Sequence, residues 1–152
     1  MNNKIIGFTI SNNAIDHSDV DVFKRQLRLI HLKNKNFHIY IWGIGDIGQC
    51  TVNNRYSLSF PLTASLLDRN ILLQIGEETI IIENDWLGSI PVFYNRKSRI
   101  VSTLPLKCLA NKTVHNEGLY NFFEFGFSVF EQTPVADVRF MRYYSSLIVS
   151  KS

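Results

Sequence analysis

The chain has 152 residues, 45% of them apolar and 19% charged, with a formal net charge of +3. That length and balance describe one globular domain with a real core, not a disordered chain. A charge this small, with no clustered basic face, gives no reason to expect a nucleic-acid binder, and no apolar run approaches the roughly 20 residues of a membrane helix.

Met1-Asn2-Asn3 precedes Lys4–Ile10, which reads as a buried strand, too short and too soon broken to be a signal peptide. After a loop at Ser11–His17, Ser18 with Asp21 gives a capping-box-like helix start. Phe23, Leu27 and Ile30 then recur at helical spacing. Lys24, Arg25 and Arg28 fall off that stripe, either as a solvated face or as a contact for an acidic partner. Asn34-Lys35-Asn36 ends this helix, and Phe37–Trp42 alternates as a strand.

Gly43-Ile44-Gly45-Asp46-Ile47-Gly48 is a literal G-x-G-x-x-G. The dinucleotide fingerprint needs a helix opening at the last glycine, so that pyrophosphate meets its N-terminus. Gln49-Cys50-Thr51-Val52-Asn53-Asn54 is β-branched and turn-forming, so the run reads as a glycine-rich turn, and no cofactor is expected. Tyr56–Phe60 and Ile71–Ile75 read as strands, with Pro61–Asp68 between them as a short helix or a loop.

Thr79–Tyr94 reads as strand, tight turn and strand: Ile80-Ile81-Ile82, turn residues from Asn84-Asp85 to Gly88-Ser89, then Pro91 opening Val92-Phe93-Tyr94. Gly88 is expected at positive φ. Trp86 stands at the tip, packed over the sheet edge or exposed as an interface anchor. Asn95–Ser98 turns into a strand at Arg99–Thr103, so the middle of the chain reads as an antiparallel meander. A short helix at Leu104–Ala110 follows. A longer one, Glu117 to about Phe127, is capped by Asn116 and carries a stripe of Leu119, Phe122, Phe123 and Phe127. Val135–Phe140 and Tyr143–Val149 read as a closing pair of strands.

Cys50 and Cys108 match no metal spacing and read as free thiols of a reducing, cytoplasmic compartment. Cys108, flanked by Leu106 and Leu109, reads as a buried structural thiol. His17, His31, His38 and His115 form no i, i+4 pair on a helix, so no metal site is expected.

Asn84-Asp85-Trp86-Leu87-Gly88-Ser89-Ile90-Pro91-Val92-Phe93-Tyr94, then Ser102–Leu109, Leu119-Tyr120-Asn121-Phe122-Phe123-Glu124-Phe125-Gly126-Phe127 and Gln132–Val138 occur in one order. Over this second half the chain resembles the N-terminal glutaminase domain of asparagine synthetases, the class II glutamine amidotransferases. That family writes Arg-Asp-x-x-Gly-x-x-Pro-Leu-Tyr-Tyr at the hairpin and Tyr-Leu-x-Phe-Gly at the helix end. The resemblance implies an α+β fold, a four-layer αββα sandwich of the N-terminal-nucleophile (Ntn) hydrolase type with antiparallel sheets.

The family starts Met-Cys-Gly-Ile-x-Gly, and its exposed cysteine thiol attacks the glutamine amide. If Gly7 matches the family's second glycine, Asn3 occupies the nucleophile position, and an amide cannot serve there. The substrate-holding Asn-Gly-Glu-x-Tyr-Asn and Ser-Asp-x-Glu runs have no counterpart, and only His31 survives of His-Arg-Gly-Pro-Asp. The expectation is a single non-catalytic amidotransferase-like domain, 1–152, without a synthetase domain. It would dock through Trp86, Lys24, Arg25 and Arg28 to a synthetase-like amide-forming enzyme or to a second copy of itself. The alternative is an amidohydrolase with an altered nucleophile: Cys50, Cys108, or Thr9 after cleavage behind Phe8.

Overall fold

The computed structural model describes residues 4–17, 27–45, 47, 51–52, 55–59, 70–85, 88, 90–110 and 112–151. These form an α+β fold, with mainly antiparallel strands and one α-helix among the described residues.

Strand β1 (Lys4–Ser11) organises the sheet. Along one edge it pairs antiparallel with β3 (His38–Ile44), which carries β2 (Arg28–Lys33) beyond it. Its other edge is shared. Thr9, Ile10 and Ser11 pair with β9 (Ile100–Ser102), while Ile5 pairs in parallel with Leu58 of β5 (Arg55–Ser59). A register irregularity between Ile5 and Gly7 sits where the two partners part, the usual place for a bulge that re-aims a strand. The sheet therefore divides at β1. One half runs β2-β3-β1-β9-β8-β10, with β8 at Phe93–Asn95 and β10 at Val138–Phe140. The other runs from β5 through β6 (Asn70–Ile75) and β7 (Thr79–Glu83) to β11 (Ser146–Ser150), with the two-residue β4 (Thr51–Val52) on β5.

Both halves bury their apolar faces in one core. Phe8, Ile10, Ile39, Ile41 and Val101 from the first half share it with Tyr56, Ile71, Leu73, Ile80 and Ile82 from the second. Alternation drives this: β-branched residues at every second position form one apolar face per strand. On β1 and β3 the opposite face carries Thr9, Ser11, Tyr40 and Trp42, all buried in turn. Trp42 lies across Gly7, where a Cβ would come within 2.4 Å of the indole. Only a residue without a side chain lets that ring lie flat on the strand.

Several expected elements differ. Arg28–Lys33, read as the end of a helix, is β2. Ile30 and Leu32 alternate onto the core, and full pairing with β3 decides between two periodicities that a short apolar run cannot separate. The helix start at residues 18–26 lies outside the described residues. Thr79–Tyr94 is not a hairpin: β7 pairs with β6 and β11, and β8 with β9 and β10. The connection 84–92 passes from one half of the sheet to the other, so its turn residues serve a crossover. The closing strands likewise separate, β10 to β8 and β11 to β7. The meander survives as β5-β6-β7 and as the β8–β9 hairpin. Leu104–Ala110 shortens to a 3-10 turn at Pro105–Cys108. The strand before the glycine run extends through Ile44 and Gly45 takes φ 75°, but positions 46 and 48–50 lie outside the description. Gly88 has the expected positive φ, 58°.

Candidate interaction surface on the long helix

Helix α1 spans Asn116–Phe125. Its cap is His115, not Asn116: the His115 ring nitrogen Nδ1 accepts from the Gly118 amide at 3.1 Å, satisfying one of the orphan donors of the first turn. Gly126 ends it in the left-handed region at φ 75°, its amide bonding back to the Phe122 carbonyl.

The face α1 turns inward is small and polar. Gly118 and Asn121 are its buried residues. A Cβ on Gly118 would lie 2.1 Å from the Thr133 carbonyl oxygen, so the helix backbone rests directly on the 132–135 turn. Asn121 donates to Gln132 Oε1 at 2.8 Å, and the His115 amide to the Pro134 carbonyl at 2.9 Å. Thr133 Oγ1 in turn bonds the Val135 and Val138 carbonyls, tying the turn to β10.

Tyr120 and Phe123 lie on the opposite side of the helix, while Phe122 and Phe125 share the stripe of Gly118 and Asn121 and are exposed all the same. Phe123 is 77% exposed, and Tyr120, Phe122, Phe125 and Phe127 are exposed too, as is Phe130 just beyond. Of the Leu119-Phe122-Phe123-Phe127 stripe only Leu119 is half-buried. An amphipathic helix normally buries its apolar stripe, and single exposed apolar residues need no explanation, but a contiguous exposed patch does. Beside this face lies a cleft of about 280 Å³ bordered by Phe122, Phe127, Phe93, Met141 and Tyr143, with the buried Asn84 at its wall. Asn84 donates through Nδ2 to the Arg142 carbonyl at 3.2 Å, and its Oδ1 accepts no hydrogen bond.

Of the residues singled out from sequence, Asn3, Lys24, Arg25, Trp86 and Cys50 lie outside the described residues. Arg28 is exposed at the start of β2, opposite Gly43; it stands on a strand, not on a basic helix face. Between β7 and β8, the described residues Asn84, Gly88 and Pro91 border the cleft. Cys108 is buried, and desolvation pushes its thiol up to about 12. Sγ donates to the Phe93 carbonyl at 3.4 Å. A thiol held so far from thiolate is a poor nucleophile. Thr9 is wholly buried in mid-strand, its hydroxyl 2.7 Å from Ser102 Oγ.

Sequence reading missed one cluster. Tyr40 stacks with His17 at 4.0 Å and with His31 at 4.4 Å between ring centroids. His31 Nε2 lies 3.1 Å from His38 Nδ1, with centroids 5.2 Å apart and planes 13° apart. Nitrogens in contact at that centroid separation set the two imidazoles edge to edge, within hydrogen-bonding distance of each other. Desolvation, then Lys33 and His31, hold His38 below its ordinary value. Reading 28–33 as a strand would have exposed this pair, because His31 opposite Tyr40 is diagonal to His38.

No family model, curated protein or solved structure matches this chain.

Proposed function

We propose that this chain is a non-catalytic glutamine amidotransferase-like domain that docks to an asparagine synthetase-like amide-forming enzyme in the cytoplasm. On this reading the two halves of the sheet, which share one core, are the paired β-layers of an Ntn-type αββα sandwich. The observation that carries the proposal is the exposed aromatic face of α1. It occupies the same segment, Leu119–Phe127, in which the resemblance to the amidotransferase domain is carried. A helix that buries Gly118 and Asn121 and leaves its aromatic rings exposed has that apolar surface free for a partner. Aromatic anchors of this kind contribute on the order of 2 kcal/mol each when desolvated. On this reading Trp86, the tip residue of the sequence motif, is an additional anchor.

The test is co-purification from native extract, comparing the natural chain with a Phe123→Ser, Phe127→Ser double variant. The natural chain recovers an ATP-using amide-forming enzyme and the variant does not. Recovery of that enzyme by both, or by neither, contradicts the assignment. Ammonia release from glutamine by the purified chain stays at the blank; a rate abolished by Cys50→Ala or Cys108→Ala would establish the amidohydrolase reading instead.

A further inference from the structure

The two halves of the sheet do not end together. In the second half β11 is the last strand, pairing only with β7 among the described residues. Leu147 and Val149 turn to the shared core, beneath which the first half runs on through β9 and β8 to β10. A cavity of about 390 Å³ opens between β11 and the β8–β9 hairpin, lined by Leu147, Ile148, Tyr94, Arg96 and Arg99. A second, also about 390 Å³, adjoins it through Tyr94 and Arg96 and reaches Arg139. The first borders β11 directly, and the second continues from it along β8 and β10.

The floor of these cavities is basic. Arg139 is the register partner of Tyr94, so both project from the same face of β8–β10. The Arg96 guanidinium lies over the Tyr94 ring, 5.8 Å from its centroid. Arg99 donates through Nη1 to the Lys151 carbonyl at 3.3 Å and holds φ 54°, a conformation favouring glycine. The nearby acids are engaged, Asp137 with Lys97 and Glu131 with Arg142. Among the described residues no carboxylate forms a salt bridge with Arg96, Arg99 or Arg139, although Glu131 and Asp137 line the second cavity beside them. On the outer face of β11, Ile148 is 65% exposed.

We propose that β11 and this floor bind an extended acidic segment of a partner protein as an added strand. Backbone pairing to the β11 edge supplies affinity. Acidic side chains at alternate positions face Arg96 and Arg139, and apolar ones lie beside Ile148. A second copy is the poorer occupant: its own Ser146–Ser150 brings no acid, and Lys151 follows it. This inference does not depend on the reading of α1.

The probe is a fluorescein-labelled peptide alternating Glu and Val, as long as β11, titrated into the full chain at low salt and read by anisotropy. Saturable binding is expected, weakened about tenfold or more by Arg96→Glu or Arg139→Gln, both checked for folding by circular dichroism. A Lys/Val peptide does not bind. Methylating alternate backbone amides abolishes binding in one phase and spares it in the other, the signature of a ladder. The proposal is overturned by no saturation at millimolar peptide, by equal binding of the Lys/Val or both methylated peptides, or by indifference to both arginine variants. A concentration-dependent dimer with β11 amides protected from exchange would also overturn it, giving the edge to a second copy.

Discussion

Gly88 and Gly126 both hold positive φ, at 58° and 75°, but in different surroundings. A Cβ on Gly88 would meet the Tyr143 ring at 2.2 Å, whereas one on Gly126 meets nothing within 4 Å. Gly126→Ala therefore carries only the left-handed backbone cost, about 1 kcal/mol. Gly88→Val costs more than that, because Tyr143 must also move. Melting of the two variants beside the natural chain checks the order; an unchanged midpoint in Gly88→Val would mean that the 84–92 connection is built differently. Cys108 gives a pH signature. Burial raises its thiol from 9.0 to about 12, so the unfolded chain loses this proton first as pH rises. The thiol's contribution to stability is fully present below pH 9 and is lost as pH climbs toward 12. The stability gap between the natural chain and Cys108→Ala narrows over that window, and the native thiol stays unreactive toward an aromatic disulfide below it. Gly88 and Cys108 were legible in the sequence because each rests on local evidence, a turn glycine and apolar flanks. The His31–His38 pair was not, because it exists only once two strands are in register.

At the scale of elements, the strands with strong alternation, β1, β3, β6 and β7, stand where the residue pattern puts them. What the pattern could not give was pairing. Ile80-Ile81-Ile82 and Val92-Phe93-Tyr94 read as a hairpin because they are close in sequence, yet each finds a better partner elsewhere. β2 shows the other failure: Leu27 and Ile30 fit a helical stripe and Ile30 and Leu32 a strand, and pairing with β3 settles it. On α1 the sequence marks a helix with an apolar stripe; such a stripe is ordinarily a core stripe, and here its aromatics lie exposed. Gly118 against Thr133 and Asn121 to Gln132 seat the helix instead. Replacing Tyr120, Phe123 and Phe127 together by Ser should then shift unfolding by no more than about 0.5 kcal/mol, as for ordinary surface positions. A loss of several kcal/mol in urea titration would show that these rings are core after all.

For the whole molecule, the α+β class and the antiparallel strands follow from sequence, and the division of the sheet at β1 does not. It depends on one strand sharing its edge between β9 and β5. The functional account likewise joins two scales: a resemblance spread over the second half of the chain, and one helix whose aromatic face lies open. The most direct measurement is covalent footprinting of aromatic side chains by hydroxyl radicals. It compares the purified chain alone with its complex with the co-purified amide-forming enzyme. Phe123, Phe127 and Tyr120 should label strongly in the chain alone and become protected in the complex. Rings that are protected already in isolation, or that label equally in both, would contradict the account.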